Sequence, residues 1–332
     1  MKIDCHAHLI GASTESGAYL SSRMRRSFSY HFILWKFGLR RVKDPARRER
    51  IYIEKIARWT RESELDRAVL LAFDEVYRKD GTVDRSITHT YVPNDFVSRV
   101  CLEHPELFFF GASVHPYRKD ALEELERVSA LGAVLVKLLP NSQGFAPDDR
   151  RLTQYYRKAA ELNLPLLIHA GYEHTIPVID QSFGFPERLR TALDEGATVI
   201  VAHAGTAGLA HPRETMGAFL GLLAEYPNCF GDISALTNLW RSKYLKLLLD
   251  PERLYRKYKV ELEDPMSRMI HGSDFPIPVT PMAFQTRLAA ADRHLVRKTK
   301  NPLQQDILIK RLLGVPEACL VRAHDELGIG RR

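Results

Sequence analysis

The residues best suited to chemistry open the chain, where Asp4, His6 and His8 alternate along Lys2-Ile3-Asp4-Cys5-His6-Ala7-His8. Side chains of a strand alternate between faces, so the spacing predicts that these three point one way. Ile3, Cys5 and Ala7 should then pack on the other side, beneath helices. Two neutral imidazoles two residues apart supply half of a site for zinc or a similar divalent ion. Further along, Lys137, His169, His203 and Asp274 each stand at the end of an apolar run. Singly, each has a plain structural role: a hydrogen-bonded core histidine, an N-cap, a lysine stem lying along apolar surface. Gathered at one rim, they form a set of nitrogen and oxygen ligands with a catalytic carboxylate, the equipment for metal-assisted attack by water.

That gathering requires a scaffold, and the chain contains one. Seven more apolar runs of strand length follow the first, at residues 68–73, 108–114, 134–138, 165–169, 198–203, 229–234 and 269–274. Most are separated by helical periodicity, as in Asp120–Leu131, closed by Gly132, and Asp149–Leu162, closed by Asn163. Near-continuous apolar strands alternating with helices predict a parallel sheet covered on both faces. Eight such units close into a (β/α)8 TIM barrel of the α/β class, whose active sites gather at the carboxyl ends of the strands. Extra C-terminal helices are expected at Pro281–His294, Asn301–Leu313 and Pro316–Leu327, with Leu313-Gly314-Val315-Pro316 as a stop and restart. Residues 9–66 are too long for a connection. They carry an aromatic run (Phe28, Tyr30, Phe32, Trp35, Phe37) and then a helical pattern around Ile53, Ile56, Ala57 and Trp59. The expectation is a single domain, 1–332, in which this helical insertion leaves directly after His8 and lies over the barrel mouth as a lid.

At this level the sequence resembles the amidohydrolase superfamily, and within it the amidohydrolase-2 branch, which includes relatives of aminocarboxymuconate semialdehyde decarboxylase. The resemblance rests on Asp4-x-His6-x-His8, Val136-Lys137-Leu138-Leu139-Pro140, Leu167-Ile168-His169-Ala170-Gly171, Ala202-His203-Ala204-Gly205 and Gly272-Ser273-Asp274-Phe275-Pro276, in order on strands one, four, five, six and eight. It implies that His6, His8, His169 and Asp274 bind a divalent metal, Zn2+ or another such as Mn2+, with one per chain expected over two. It further implies that His203 is a second-metal ligand, or polarises the substrate or orients the water, and that Lys137 is either a carboxylated bridge between two metals or no ligand at all. Asp4 is expected to support the ligands from behind. In the implied mechanism Asp274 accepts a proton as a metal-activated water attacks an electrophilic carbon, and His203 steadies the developing oxyanion or the water. Asn94, His115, Asn141, Gln143, Glu173, Arg213 and Trp240 are candidates for substrate recognition near strand ends or loops.

Composition narrows the function classes. With 45% apolar and 27% charged residues the chain reads as globular, and no uninterrupted apolar stretch is long enough to cross a bilayer. A first strand starting at residue 2 leaves no room for a signal peptide, and the expected location is cytoplasmic. Cys5, Cys101, Cys229 and Cys319 are too scattered for a disulfide framework or a cysteine zinc site. The net charge of +7 is local, concentrated in the arginines and lysines between Arg23 and Arg50. Three functions compete: a hydrolase of an amide, lactone or ester; a decarboxylase or hydratase of a small aromatic or unsaturated acid; and a non-catalytic barrel whose basic insertion binds nucleic acid or acidic lipid. Many convergent polar groups at one rim argue for the enzymes, with a small-molecule substrate, no nucleic-acid or membrane partner, and room for a homo-oligomer.

Overall fold

The computed structural model describes residues 1–208 and 213–331. Eight parallel strands form one sheet in chain order: β1 (Ile3–His8), β2 (Arg67–Leu71), β3 (Phe108–Ala112), β4 (Ala133–Leu138), β5 (Leu166–His169), β6 (Val199–Ala202), β7 (Cys229–Asp232) and β8 (Met269–Ile270). The sheet curls until its ends meet. Cys5 N–H donates to the His271 carbonyl at 3.1 Å, Asp274 N–H to the His6 carbonyl at 2.8 Å and His8 N–H to the Phe275 carbonyl at 2.7 Å. These bonds close the α/β TIM barrel expected from the strand and helix alternation.

The barrel has two apolar layers. Its interior holds Ile3, Cys5, Val69, Leu71, Leu135, Leu167, Ile200, Phe230 and Ile270, with Ala323 and Ile329 of the C-terminal segment packed against them. The outward-facing residues of the same strands, such as Leu70, Val136, Ile168 and Val201, join the surrounding helices in the larger core. Lys137, His169 and Asp232 continue the inward-facing rows begun by Leu135, Leu167 and Phe230, so strand alternation carries them to the upper rim.

The first strand departs from the expected alternation. Ile3 and Cys5 lie in the interior cluster whereas Ala7 lies in the outer one. The register explains this: Asp4 pairs with Ala68 and Ala7 with Leu70, so one extra residue sits in β1. Such a bulge reverses which face later residues occupy. Asp4 holds it, its carboxylate accepting from the His6 N–H at 3.0 Å and the Ser273 N–H at 2.9 Å. Asp4 therefore does not share a face with His6, and its place between β1 and the eighth-strand segment is that of a brace.

The expected helices appear as Ala121–Ala130, Thr153–Glu161, Pro302–Leu312 and Ala318–Asp325, each within two residues of its expected bounds except the second, whose expected start at Asp149 gives way to a 3-10 turn, Arg150–Leu152. Gly314, with φ +93°, makes the stop after the third of these. The helix expected over Pro281–His294 is instead a 3-10 turn, Pro281–Phe284, and a separate helix, Ala290–Lys298. Arg293 reaches back to the Gln285 and Leu288 carbonyls, both at 2.9 Å, and satisfies groups that a continuous helix would have bonded internally. All four cysteines are buried and free. Among the described residues no helix is long and apolar enough to cross a membrane.

The insertion contributes helices Phe28–Lys36 and Pro45–Arg61, and its strand Tyr19–Leu20 pairs with Thr90–Tyr91. It touches the rim at the barrel seam. Phe37, Tyr52 and Trp59 pack around Phe275, the residue after Asp274, and the Tyr52 hydroxyl donates to the His8 carbonyl at 2.7 Å.

Candidate metal centre

Three donor atoms converge at the seam between β1 and β8. His6 Nε2 and His8 Nε2 are 3.2 Å apart, and Asp274 Oδ1 is 3.4 Å from the first and 3.2 Å from the second. Ligands about 2.0–2.1 Å from a shared ion at tetrahedral angles stand about 3.3–3.4 Å from one another. The donor set and its spacing thus fit a zinc-like divalent ion. Behind them lies a buried polar layer. His6 Nδ1 is 2.7 Å from Asp232 Oδ2, which fixes the proton on Nδ1 and turns the Nε2 lone pair toward Asp274. Asp232 Oδ1 also accepts from the His203 N–H at 2.8 Å, the Ser234 N–H at 2.9 Å and the Ser234 hydroxyl. His6, His203 and Asp232 form a second cluster of ligand-type atoms. Its bonds are those of a support already satisfied, so the His6, His8, Asp274 cluster is the better ion site.

The other two histidines extend a row of rings. Centroids are 5.0 Å apart from His8 to His6, 5.1 Å from His6 to His203 and 5.2 Å from His203 to His169. His203 Nδ1 lies 2.7 Å from the Ser234 hydroxyl oxygen. That hydroxyl spends its proton on Asp232, so His203 carries its own proton on Nδ1 and presents an Nε2 lone pair, 4.0 Å from Asp274 Oδ2. Among the described residues, His169 Nε2 is buried without a hydrogen bond, 3.6 Å from a Glu173 oxygen, and Lys137 Nζ is buried without a hydrogen bond. Buried polar atoms without partners are rare, and an ion or bound ligand at this rim would satisfy both.

Electrostatics set the protonation states. Burial lowers His203 to about 3, so it is a neutral imidazole near neutrality. Burial likewise drives His169 well below its ordinary value, with His203 and Lys137 adding to the effect. For Asp274, burial pushes the pKa up but His203, His8 and His6 outweigh it and hold the carboxyl ionised, well below the usual range. Lys137 is lowered to about 8 by burial, against the pull of Asp232, Asp274 and Glu173. The backbone is held in unusual shapes here: His203, Ala204 and Asp274 have φ of 55°, 50° and 59°. Left-handed backbone in residues other than glycine costs about 1–3 kcal/mol each and persists only where surroundings enforce it. At Gly272 a Cβ would come within 2.9 Å of His6 Cβ and 3.0 Å of Ser234 Cβ, so only glycine lets β8 approach the ligands so closely. From below, Lys310 donates to the Gly272 carbonyl at 2.9 Å and to Asp306 at 2.6 Å.

Of the recognition candidates, Glu173 alone has a recorded contact with this centre. Asn94 bonds Ser113 and Glu124, and His115 bonds Gln143 and Tyr117. Gln143 caps Leu139, and Asn141 ties Gly171 to Gln181. Arg213 pairs with Glu187 over the Phe185 ring, and Trp240 is 57% exposed. Besides Lys137, Arg241 acts on the centre: its charge helps lower His169 and His203, and among the described residues its buried Nε has no hydrogen-bond partner. Asp232, Ser234 and Arg241 escape the sequence reading. Asp232 and Ser234 do alternate on one apolar strand, which was the available signal.

A family model described as Amidohydrolase matches residues 3–310. The chain belongs to the amidohydrolase-2 family. Its members are enzymes, typically metal-dependent, that act on small molecules. No curated protein matches the chain. Among solved structures, an uncharacterised TIM-barrel protein from Bordetella bronchiseptica aligns at 16% identity and TM-score 0.54, covering 90% of this chain and 98% of its own. A probable 2-pyrone-4,6-dicarboxylic acid hydrolase from Acinetobacter baumannii, with citric acid bound, aligns at 15% identity and TM-score 0.51, covering 94% and 99%. A 5-carboxyvanillate decarboxylase from Sphingomonas paucimobilis aligns at 13% identity and TM-score 0.49, covering 95% and 99%. For the first two, at such identities, the likeness is one of fold.

Proposed function

We propose that this amidohydrolase is a hydrolase that uses activated water to cleave an amide, lactone or ester bond in a small molecule. The observation that carries the reading is the convergence of His6 Nε2, His8 Nε2 and Asp274 Oδ1 to separations of 3.2–3.4 Å. His169, whose buried Nε2 has no hydrogen bond, is the fourth ligand. When bound, a divalent ion, zinc or manganese, supplies Lewis acidity and acidifies water beside it. Asp274, ionised, accepts the proton of the attacking water on its carboxylate. Neutral His203 accepts a hydrogen bond at Nε2 and so orients that water, a role its Nδ1 proton favours over donation to an oxyanion. Residues 9–66, tied to β1 through Tyr52 and the His8 carbonyl, act as a lid that shapes the pocket.

A second reading has its own observation. Among the described residues Lys137 Nζ and Arg241 Nε are buried donors without hydrogen-bond partners, which favours a substrate carrying a carboxylate. Such a substrate suits a lactone acid, and it equally suits a decarboxylase or hydratase of a small aromatic or unsaturated acid. Elemental analysis together with a panel of lactones, esters and hydroxylated aromatic acids tests both. Turnover of lactones or esters with about one divalent ion per chain is the expected result. Release of carbon dioxide from the acids alone would select the lyase. Two ions per chain with a carboxylated Lys137 would replace the mononuclear site.

A further inference from the structure

Away from the metal centre, the insertion lines a half-open cavity of about 190 Å³. Its wall is apolar, with Leu20, Ile33, Leu34 and Leu39 all buried and Tyr52 beside them. Arg25 and Lys43, both exposed, and the half-buried Arg48 complete the lining toward solvent. Among the described residues none of these three cations pairs with a carboxylate. The one carboxylate in the lining, Glu49, is committed elsewhere: it accepts from the Ser13 N–H at 2.6 Å and from the Ser16 hydroxyl at 3.0 Å. An apolar void of about 150 Å³ holds a benzene molecule. This one has room for a ring or short chain of that size with a single acidic group at its open side.

We propose that the cavity is a ligand site, separate from the metal centre, for a small amphipathic monocarboxylate. The apolar body packs against Ile33 and Leu34, and the carboxylate sits among Arg25, Lys43 and Arg48. No ligand of the metal centre lines the cavity. The two sites are nonetheless joined through the backbone. Ile10, Gly11 and Ala12 line the cavity from the second residue after His8, and Tyr52 lines it while bonding the His8 carbonyl.

Titration calorimetry of the full chain with cyclohexanecarboxylate tests the site, with cyclohexanecarboxamide as the uncharged control. Saturable binding at one site is expected, and at least about tenfold weaker binding of the amide, the effect of losing charge-assisted hydrogen bonds. Leu34→Trp, which fills the cavity, should weaken acid binding at least as much. The exposed double change Arg25→Met with Lys43→Met should do the same without disturbing the fold, which circular dichroism verifies. His169→Ala should leave the affinity within about twofold. Absence of saturable binding overturns the proposal. So does binding that His169→Ala abolishes and the insertion variants leave alone, since that would place the acid in the metal centre.

Discussion

The barrel rim and the insertion draw on opposite kinds of order. At the rim, side chains from β1, β5, β6, β7 and β8 meet, and their buried polar atoms are largely paired by residues distant in sequence, as His6 is by Asp232. In the insertion Trp35 is 61% and Phe28 83% exposed, and among the described residues Arg25, Lys43 and Arg48 pair with no carboxylate. A rim so constrained tolerates little change at single atoms, whereas the insertion, where we propose a ligand site, has more freedom to vary. The comparison is therefore testable, because changes at the rim should act on metal and chemistry together and changes in the insertion on turnover alone.

The largest effects are expected at the metal centre. Asp274→Asn keeps an oxygen for the metal and removes the proton acceptor, so rate should fall about 10²–10⁴-fold while metal content falls little. His169→Ala should lower rate and metal content together. Steady-state kinetics beside elemental analysis reads both. If Asp274→Asn turns over substrate near the parental rate, the base is elsewhere, and the His203 Nε2 lone pair is the group in reach. Next in size is Asp232→Asn. The amide cannot hold the His6 Nδ1 proton as the carboxylate does, and loss of such a supporting partner costs about 10–100-fold in metal affinity or activity. Metal competition with a chelator measures it, and unchanged affinity would reduce Asp232 to a packing role.

How far these residues could be read in advance follows from where their signals lie. His6 and His8 are legible because both ligands lie in one strand. The barrel is legible because apolar runs repeat at regular spacing. The bulge in β1 is not, because it arises when Asp4 bonds Ser273, more than two hundred and fifty residues away. Asp232 hides for a similar reason, its partner His6 lying 226 residues before it. Arg213 and Trp240 looked as eligible as Arg241, since loop position alone does not say which side chain turns inward.

Removing residues 23–41 shifts the test to the insertion. Metal content should hold while turnover falls, by up to about a hundredfold if the segment positions substrate. Unchanged kinetics would make the insertion an outer attachment and erase its half of the comparison.

The smallest expected effect separates the two regions by pH. His115, in the loop after β3, is buried, and burial lowers it to about 4. Its Nε2 bonds the Gln143 carbonyl at 2.8 Å, and its Nδ1 accepts from the Tyr117 N–H at 3.1 Å, so protonation at Nδ1 would break the second bond. Because the folded pKa lies below the unfolded value of about 6.5, the unfolded chain takes up the proton first. The stability due to neutral His115 is therefore complete above about pH 6.5 and is lost progressively as pH falls toward 4. At pH 5 the loss is on the order of 2 kcal/mol. Asp74, raised to about 6 by burial, acts in the opposite sense, its contribution being present at low pH and lost as pH rises through 6. It accepts from the His115 N–H at 2.8 Å, so total stability blends the two and a single-residue comparison is needed. Urea midpoints at pH 7.5 and 5 should fall less for His115→Gln than for the parent. Probes on the insertion should show no acid transition ahead of the barrel. A transition that begins in the insertion would place the acid-sensitive element there and invert the contrast.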